Sequence, residues 1–125
     1  MNLFFYVSVM EGAGNQLYEI IESVVPEDQI EIYRTTKSLF HRLRQPKDNL
    51  NIAVLLASSK KDLSDILSIG DLLSDINIIL ILPDEEEDTI AKGHTLRPRF
   101  LTYSDNSFQG VRAVLMKMLE QTYRF

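Results

Sequence analysis

Between Asn51 and Ser58 the chain reads Asn-Ile-Ala-Val-Leu-Leu-Ala-Ser, an apolar run bounded by polar residues and free of two-residue alternation. A strand covered on both faces has this signature, which places the segment in the middle of a parallel sheet. Ile78 to Leu82 repeats it, within a fourth strand over Ile76 to Leu82 that Pro83 stops. Leu3 to Val9, rich in aromatic and β-branched residues, predicts the first strand. Gln29 to Tyr33 alternates Ile30 and Ile32 with Glu31 and Arg34, the pattern of a strand at a sheet edge with one face partly open. Arg99 to Tyr103 supplies a fifth strand.

Helical periodicity fills the intervals. Leu17, Ile20, Ile21 and Val24 follow the i, i+3, i+4, i+7 spacing of one helix face from Asn15 until Pro26, after a turn at Gly12 and Gly14. Thr35 or Thr36 caps a second helix, with Leu39, Phe40 and Leu43 inward and a break at Gln45-Pro46. Ser59-Lys60-Lys61-Asp62 has capping-box spacing and opens a third helix to about Ser74, apolar at Leu63, Ile66, Leu67, Ile69, Leu72 and Leu73. The acidic run Asp84 to Asp88 leads into a short helix around Thr89 to Lys92 that Gly93 terminates. Asn106, with Gln109 three residues later, caps a last helix that turns Phe108, Val111, Leu115, Met118 and Leu119 inward, with Gly110 as a local weak point. Five strands and five helices in strict alternation predict one α/β domain, a three-layer α/β/α sandwich around a doubly wound five-stranded parallel sheet.

Composition narrows the function classes. At 125 residues and 45% hydrophobic, the chain has apolar material for one core. A net charge of −5 and a pI near 5.0 argue against nucleic acid or an anionic membrane as the main partner, since both need a basic field. With no cysteine there is no disulfide, thiolate nucleophile or cysteine-bound zinc, so a cytoplasmic, reducing setting is the expectation. Leu3 to Val9 lacks the basic flank and cleavage site of a signal peptide, and nothing approaches the ~20 apolar residues of a membrane span.

In an open parallel sheet, ligands sit beyond the carboxyl ends of the strands, here Met10-Glu11-Gly12, Arg34-Thr35, Ala57-Ser58-Ser59, Pro83-Asp84 and Tyr103-Ser104-Asp105. Gly12-Ala13-Gly14 invites a nucleotide or flavin reading of the Gly12 to Asn15 loop, because glycines let amides approach an anion. Leu17 stands where the third glycine belongs and Glu11 is adjacent, so a plain turn is the competing reading. Glu11, Asp84 and Asp105 are candidate oxygen ligands for a divalent cation, against the commoner outcome of solvated loop acids. The most distinctive surface pattern is Arg34, Lys37, His41 and Arg44, spaced 3, 4 and 3 apart and expected as one stripe opposite Phe40 and Leu43. On an acidic protein it reverses the local field and suits an acidic or phosphate-bearing partner, against the commoner outcome of a solvated face. Neither His41 nor His94 has a recognisable serine or cysteine partner, so nucleophilic catalysis finds no support.

The order of elements and the strand texts Tyr6-Val7-Ser8-Val9, Ile52 to Ala57, Ile78 to Leu82 and Phe100-Leu101-Thr102-Tyr103 resemble the receiver domain of two-component response regulators. The resemblance covers nearly the whole chain and implies the strand order 2-1-3-4-5, which flavodoxin-like proteins share. Receivers keep an acid pair after strand one, a phosphoacceptor aspartate after strand three, a hydroxyl after strand four and a lysine after strand five. Those positions fall here on Met10 and Glu11, on Ala57 or Ser58, on Pro83 and on Tyr103. A carboxylate forms a labile acyl phosphate whereas a serine forms a stable ester, and charge stabilisation for transfer is missing as well. The resemblance therefore implies a pseudo-receiver without cofactor, metal or catalysis that works by binding a signalling protein. Phe100 and Tyr103 lie on the strand near the surface such domains use for pairing, where poor cover by the short fourth helix would leave apolar area for a partner or a second copy, against the commoner outcome that both rings are core.

Overall fold

The computed structural model describes residues 1–104 and 108–122. Five parallel strands, β1 (Asn2–Val7), β2 (Ile30–Tyr33), β3 (Asn51–Leu56), β4 (Asn77–Leu82) and β5 (Phe100–Tyr103), form one sheet in the order β2-β1-β3-β4-β5. Helices α1 (Ala13–Glu22), α2 (Thr36–Leu43), α3 (Lys60–Ser68), α4 (Glu87–His94) and α5 (Gln109–Thr122) follow the strands in alternation. This is the flavodoxin-like α/β arrangement, with the order reversing between β1 and β3.

The unbroken apolar runs follow from burial on two sides. Successive side chains of a strand point to opposite faces. Leu3, Phe5, Val7, Ile52, Val54, Leu56, Ile79 and Ile81 thus pack with Leu17 and Ile21 of α1 and Val111 and Leu115 of α5. Phe4, Tyr6, Ala53, Leu55, Ile78, Leu80 and Leu82 face the other way, against Leu39 and Leu43 of α2 and Leu63 and Ile66 of α3. Both layers are therefore filled from the same strands, at about 1.5–3 kcal/mol for each fully buried aliphatic side chain. Strand β2 is an edge, where Ile32 stays 39% exposed.

Several boundaries differ from the periodicity. Strand β1 ends at Val7 because its partners end there: Tyr6 pairs with Tyr33 and Val7 with Leu56. Helix α1 starts at Ala13, so only Gly12, at φ 61°, is a turn residue. Gly14 lies inside the helix, where a Cβ would come within 2.6 Å of the Val9 carbonyl oxygen. The third helical stretch breaks after Ser68 and continues as a 3-10 turn over Gly70–Leu73. Gly93 does not end α4 but is buried within it, its missing side chain leaving room for Leu80, Leu82 and Leu101. Gly110 is covered by the ring of Phe100 rather than by a neighbouring backbone. Asn106 lies outside the described residues. No helix among the described residues is long and apolar enough to cross a membrane.

Candidate functional site

Four strands, β1, β3, β4 and β5, deliver their last residues to one rim. Ser8 and Ala57 each follow the last pair of the β1–β3 register, Val7 with Leu56. Met10 and Glu11 are further along, Met10 packed against the core and Glu11 exposed, so the mouth of β1 holds Ser8 and Val9 in place of an acid pair. Ala57 is fully buried, its amide donating to the Ile81 carbonyl at 3.0 Å. Pro83 and Tyr103 end the next two strands half-buried, and Tyr103 packs into the core on the α3 side.

The rim has a carboxylate from an unexpected place. Ser59 caps α3, accepting from the Asp62 amide at 3.1 Å, as its spacing predicts. The Asp62 carboxylate then reaches back over the end of β3, where Oδ2 accepts from Ser58 N at 3.0 Å and from Ser8 Oγ at 2.5 Å. Tyr6 lies beneath, and burial pushes its phenol up to about 12, with the charges of Asp62 and Asp65 adding to the rise. Arg34 closes the outer side, donating from Nη2 to the Ser8 carbonyl at 3.1 Å. The Ser8 hydroxyl, the Ser8 carbonyl and the Ser58 amide at the mouth of β1 and β3 are thus answered from within the chain. Asp62 escaped the strand-end survey because it comes from the first turn of a helix; its signal was the Ser-x-x-Asp spacing.

The next gap along the rim is held by charge pairs. Lys60 contacts Glu86, which raises the lysine's pKa. Asp84 Oδ1 accepts from Glu86 N at 3.0 Å. The Thr89 side chain, the Glu86 amide and Lys60 hold its carboxyl below the usual range. Thr89 Oγ1 is nevertheless buried without a well-formed hydrogen bond. Asp88 pairs with Lys92 one helical turn on, at 3.0 Å. The acidic run is therefore largely engaged by Lys60 and Lys92, with Glu85 and Glu87 outside these ion pairs. Among the described residues no cluster of His, Asp and Glu is placed to hold a metal ion, and Asp105 lies outside them. In the Gly12 to Asn15 loop, the Gly14 amide donates to Glu11 O at 3.3 Å, and the Gln16 amide donates to Gly12 O at 3.1 Å.

The basic stripe divides. Lys37 and His41 are exposed on α2 and Arg44 is its C-cap. Arg34 precedes the Thr35 cap and belongs to the rim instead, because a residue outside the helix does not keep the helical period. Phe40 is not opposite these residues but among them: His41 meets its ring edge-on at 5.7 Å and Arg44 lies 5.6 Å over it. Lys37, His41 and Arg44 have no ion-pair partner among the described residues. Arg42, the other cation of this helix, is spent inward. It forks onto Glu31 at 2.7 and 3.3 Å and stacks over Phe4 at 5.2 Å, and the hydrogen bond to Glu31 raises its pKa.

Phe100 and Tyr103 do not form one surface. Three residues apart on a strand, they point to opposite faces: Phe100 packs on the α5 side and Tyr103 on the α3 side. Compared with protein-family models and with curated proteins, the chain matches none.

Proposed function

We propose that the chain is a non-catalytic, receiver-like signalling module that works by binding another protein. The observation that carries this reading is the self-satisfied rim. A buried alanine stands where a receiver would bear its phosphoacceptor, and the nearby Asp62 carboxylate is held by Ser8 and Ser58. Phosphoryl transfer needs a nucleophile with cationic or metal groups around the developing charge. Neither Tyr103 nor Ser104 supplies the lysine, and Lys60 is engaged by Glu86.

The α2 face is left uncommitted by the chain's own ion pairs. Lys37, His41 and Arg44 carry unpaired donors around a half-buried aromatic ring, on a molecule of net charge −5. Such a reversal of field steers an acidic surface to one place and repels it elsewhere. The partner on this reading is an acidic segment of a signalling protein, its carboxylates on the cations and its apolar side chains on Phe40.

The test is capture from an extract of the source cells with the full chain and with the double variant Lys37→Glu, Arg44→Glu, combined with cross-linking through Lys37. A partner retained by the native chain, cross-linked at Lys37 and lost with the double variant, supports the module. Identical capture by both proteins, or incorporation of phosphate from acetyl phosphate and Mg²⁺, would sink it.

A further inference from the structure

At the opposite, amino-terminal edge of the sheet a half-open cavity of about 520 Å³ lies between the end of α3 with its 3-10 turn and the loop from α4 to β5. Its size falls within the range of small-molecule sites, roughly 300–1,000 Å³. Leu67, Ile76 and Leu96 give it an apolar wall, and Gly70 lets the two segments meet, since a Cβ there would come within 3.1 Å of Leu96 Cδ2.

Two opposite charges, Asp71 and Arg97, share this cavity, yet no salt bridge forms between them, and neither has an ion-pair partner among the described residues. Arg97 is also in the left-handed region, at φ 53°, with its amide donating to His94 O at 3.0 Å to close α4. Glycine adopts that conformation without steric cost, whereas a residue with a Cβ is strained there. Backbone strain alone marks no site, but here the strained residue lines the cavity, and both Arg97 and Asp71 are exposed there. The carboxyl ends of α3 and α4, the negative ends of their dipoles, converge on the same space.

We infer that this cavity binds a small zwitterion with a branched aliphatic side chain, an α-amino acid of the leucine type. The carboxylate pairs with Arg97, the ammonium with Asp71 and the helix ends, and the side chain lies on Leu67, Ile76 and Leu96. A cavity carrying only one sign of charge would take a simple anion or cation. Both signs over an apolar wall select a ligand that has all three features within a few ångströms. This goes beyond the binding-module reading and does not rest on it, because none of these residues belongs to the Asp62 rim or to the α2 face.

The experiment is an NMR titration of the full chain with L-leucine, N-acetyl-L-leucine and L-leucinamide, followed at the amides of Gly70 and Leu96. Saturable shifts with leucine are expected, and each single-charge analogue binds about tenfold or more weakly, the scale of one lost charge-assisted contact. Arg97→Gly removes the guanidinium while relieving the backbone, so it folds at least as stably as the native chain and loses leucine binding by a similar factor. Asp71→Asn weakens leucine while leaving N-acetyl-leucine unchanged. No saturable shift with leucine, equal binding of the analogues, or undiminished binding in Arg97→Gly would each overturn the assignment.

Discussion

Asp62 carries two duties on one side chain, as the third residue of a helix and as the acceptor for Ser8 and Ser58. Replacing it by alanine removes an N-terminal anion from α3 and leaves the Ser8 hydroxyl and the Ser58 amide without their partner. The expected cost is about 1–2 kcal/mol, read as a lower midpoint in urea unfolding with an unchanged slope. Tyr6 gives a pH signature of the same neighbourhood. Its phenol binds its proton more tightly folded, with a pKa of about 12 against the ordinary 10.0, because burial and Asp62 disfavour the phenolate. The folded state thus holds one more proton than the unfolded state between those values, so stability is complete below pH 10 and falls as pH rises toward 12. Tyr33 shifts in the same direction, through burial first and Glu31 next, and adds to the fall. Alkaline unfolding curves of Tyr6→Phe should have a shallower decline than the native chain. An identical decline would place the titration on other groups.

At the level of elements, the hydrophobic pattern was a good guide to which segments are strands and helices and a poorer guide to where they stop. The runs at Ile52 to Leu56 and Ile78 to Leu82 were legible because burial on both faces erases alternation. Ser59 and Thr35 were legible as caps because capping is local chemistry, and both accept the predicted backbone donor. The hydrophobic pattern carries β1 on to Val9 because the β-branched text continues, while strand length is set by partners that end at Tyr33 and Leu56. Gly93 looks like a stop in the sequence because glycine favours helix ends, but its reason is tertiary. A Cβ there would lie 3.0–3.2 Å from the tips of Leu82, Leu80 and Leu101. Gly93→Ala should therefore destabilise by about 1 kcal/mol or more, although alanine is the better helix former by a similar amount. Denaturant midpoints decide it, and a stabilised Gly93→Ala would show that the leucines yield freely. The Asp62 reach was hidden for a third reason: it joins a strand end to a helix start 54 residues later in the chain, a relation that only the order β1-β3 creates.

For the molecule as a whole, the parallel sheet puts chemistry-bearing positions at one edge and the Asp71–Arg97 cavity at the other, with the basic α2 face beside the open strand β2. Because the α2 cations are exposed, an interaction through them should weaken as salt rises past about 0.15 M, where screening acts within roughly 8 Å. A docking that ignores salt would point to an apolar surface instead. The proposed module requires a rim closed from within, and the most direct measurement is an NMR titration of the native chain with millimolar Mg²⁺ and acetyl phosphate, paired with intact-mass analysis. The amides of Ser8, Ser58 and Asp62 should stay in place and the mass should not change. Saturable shifts at those three amides, or the gain of one phosphoryl group, would contradict the account.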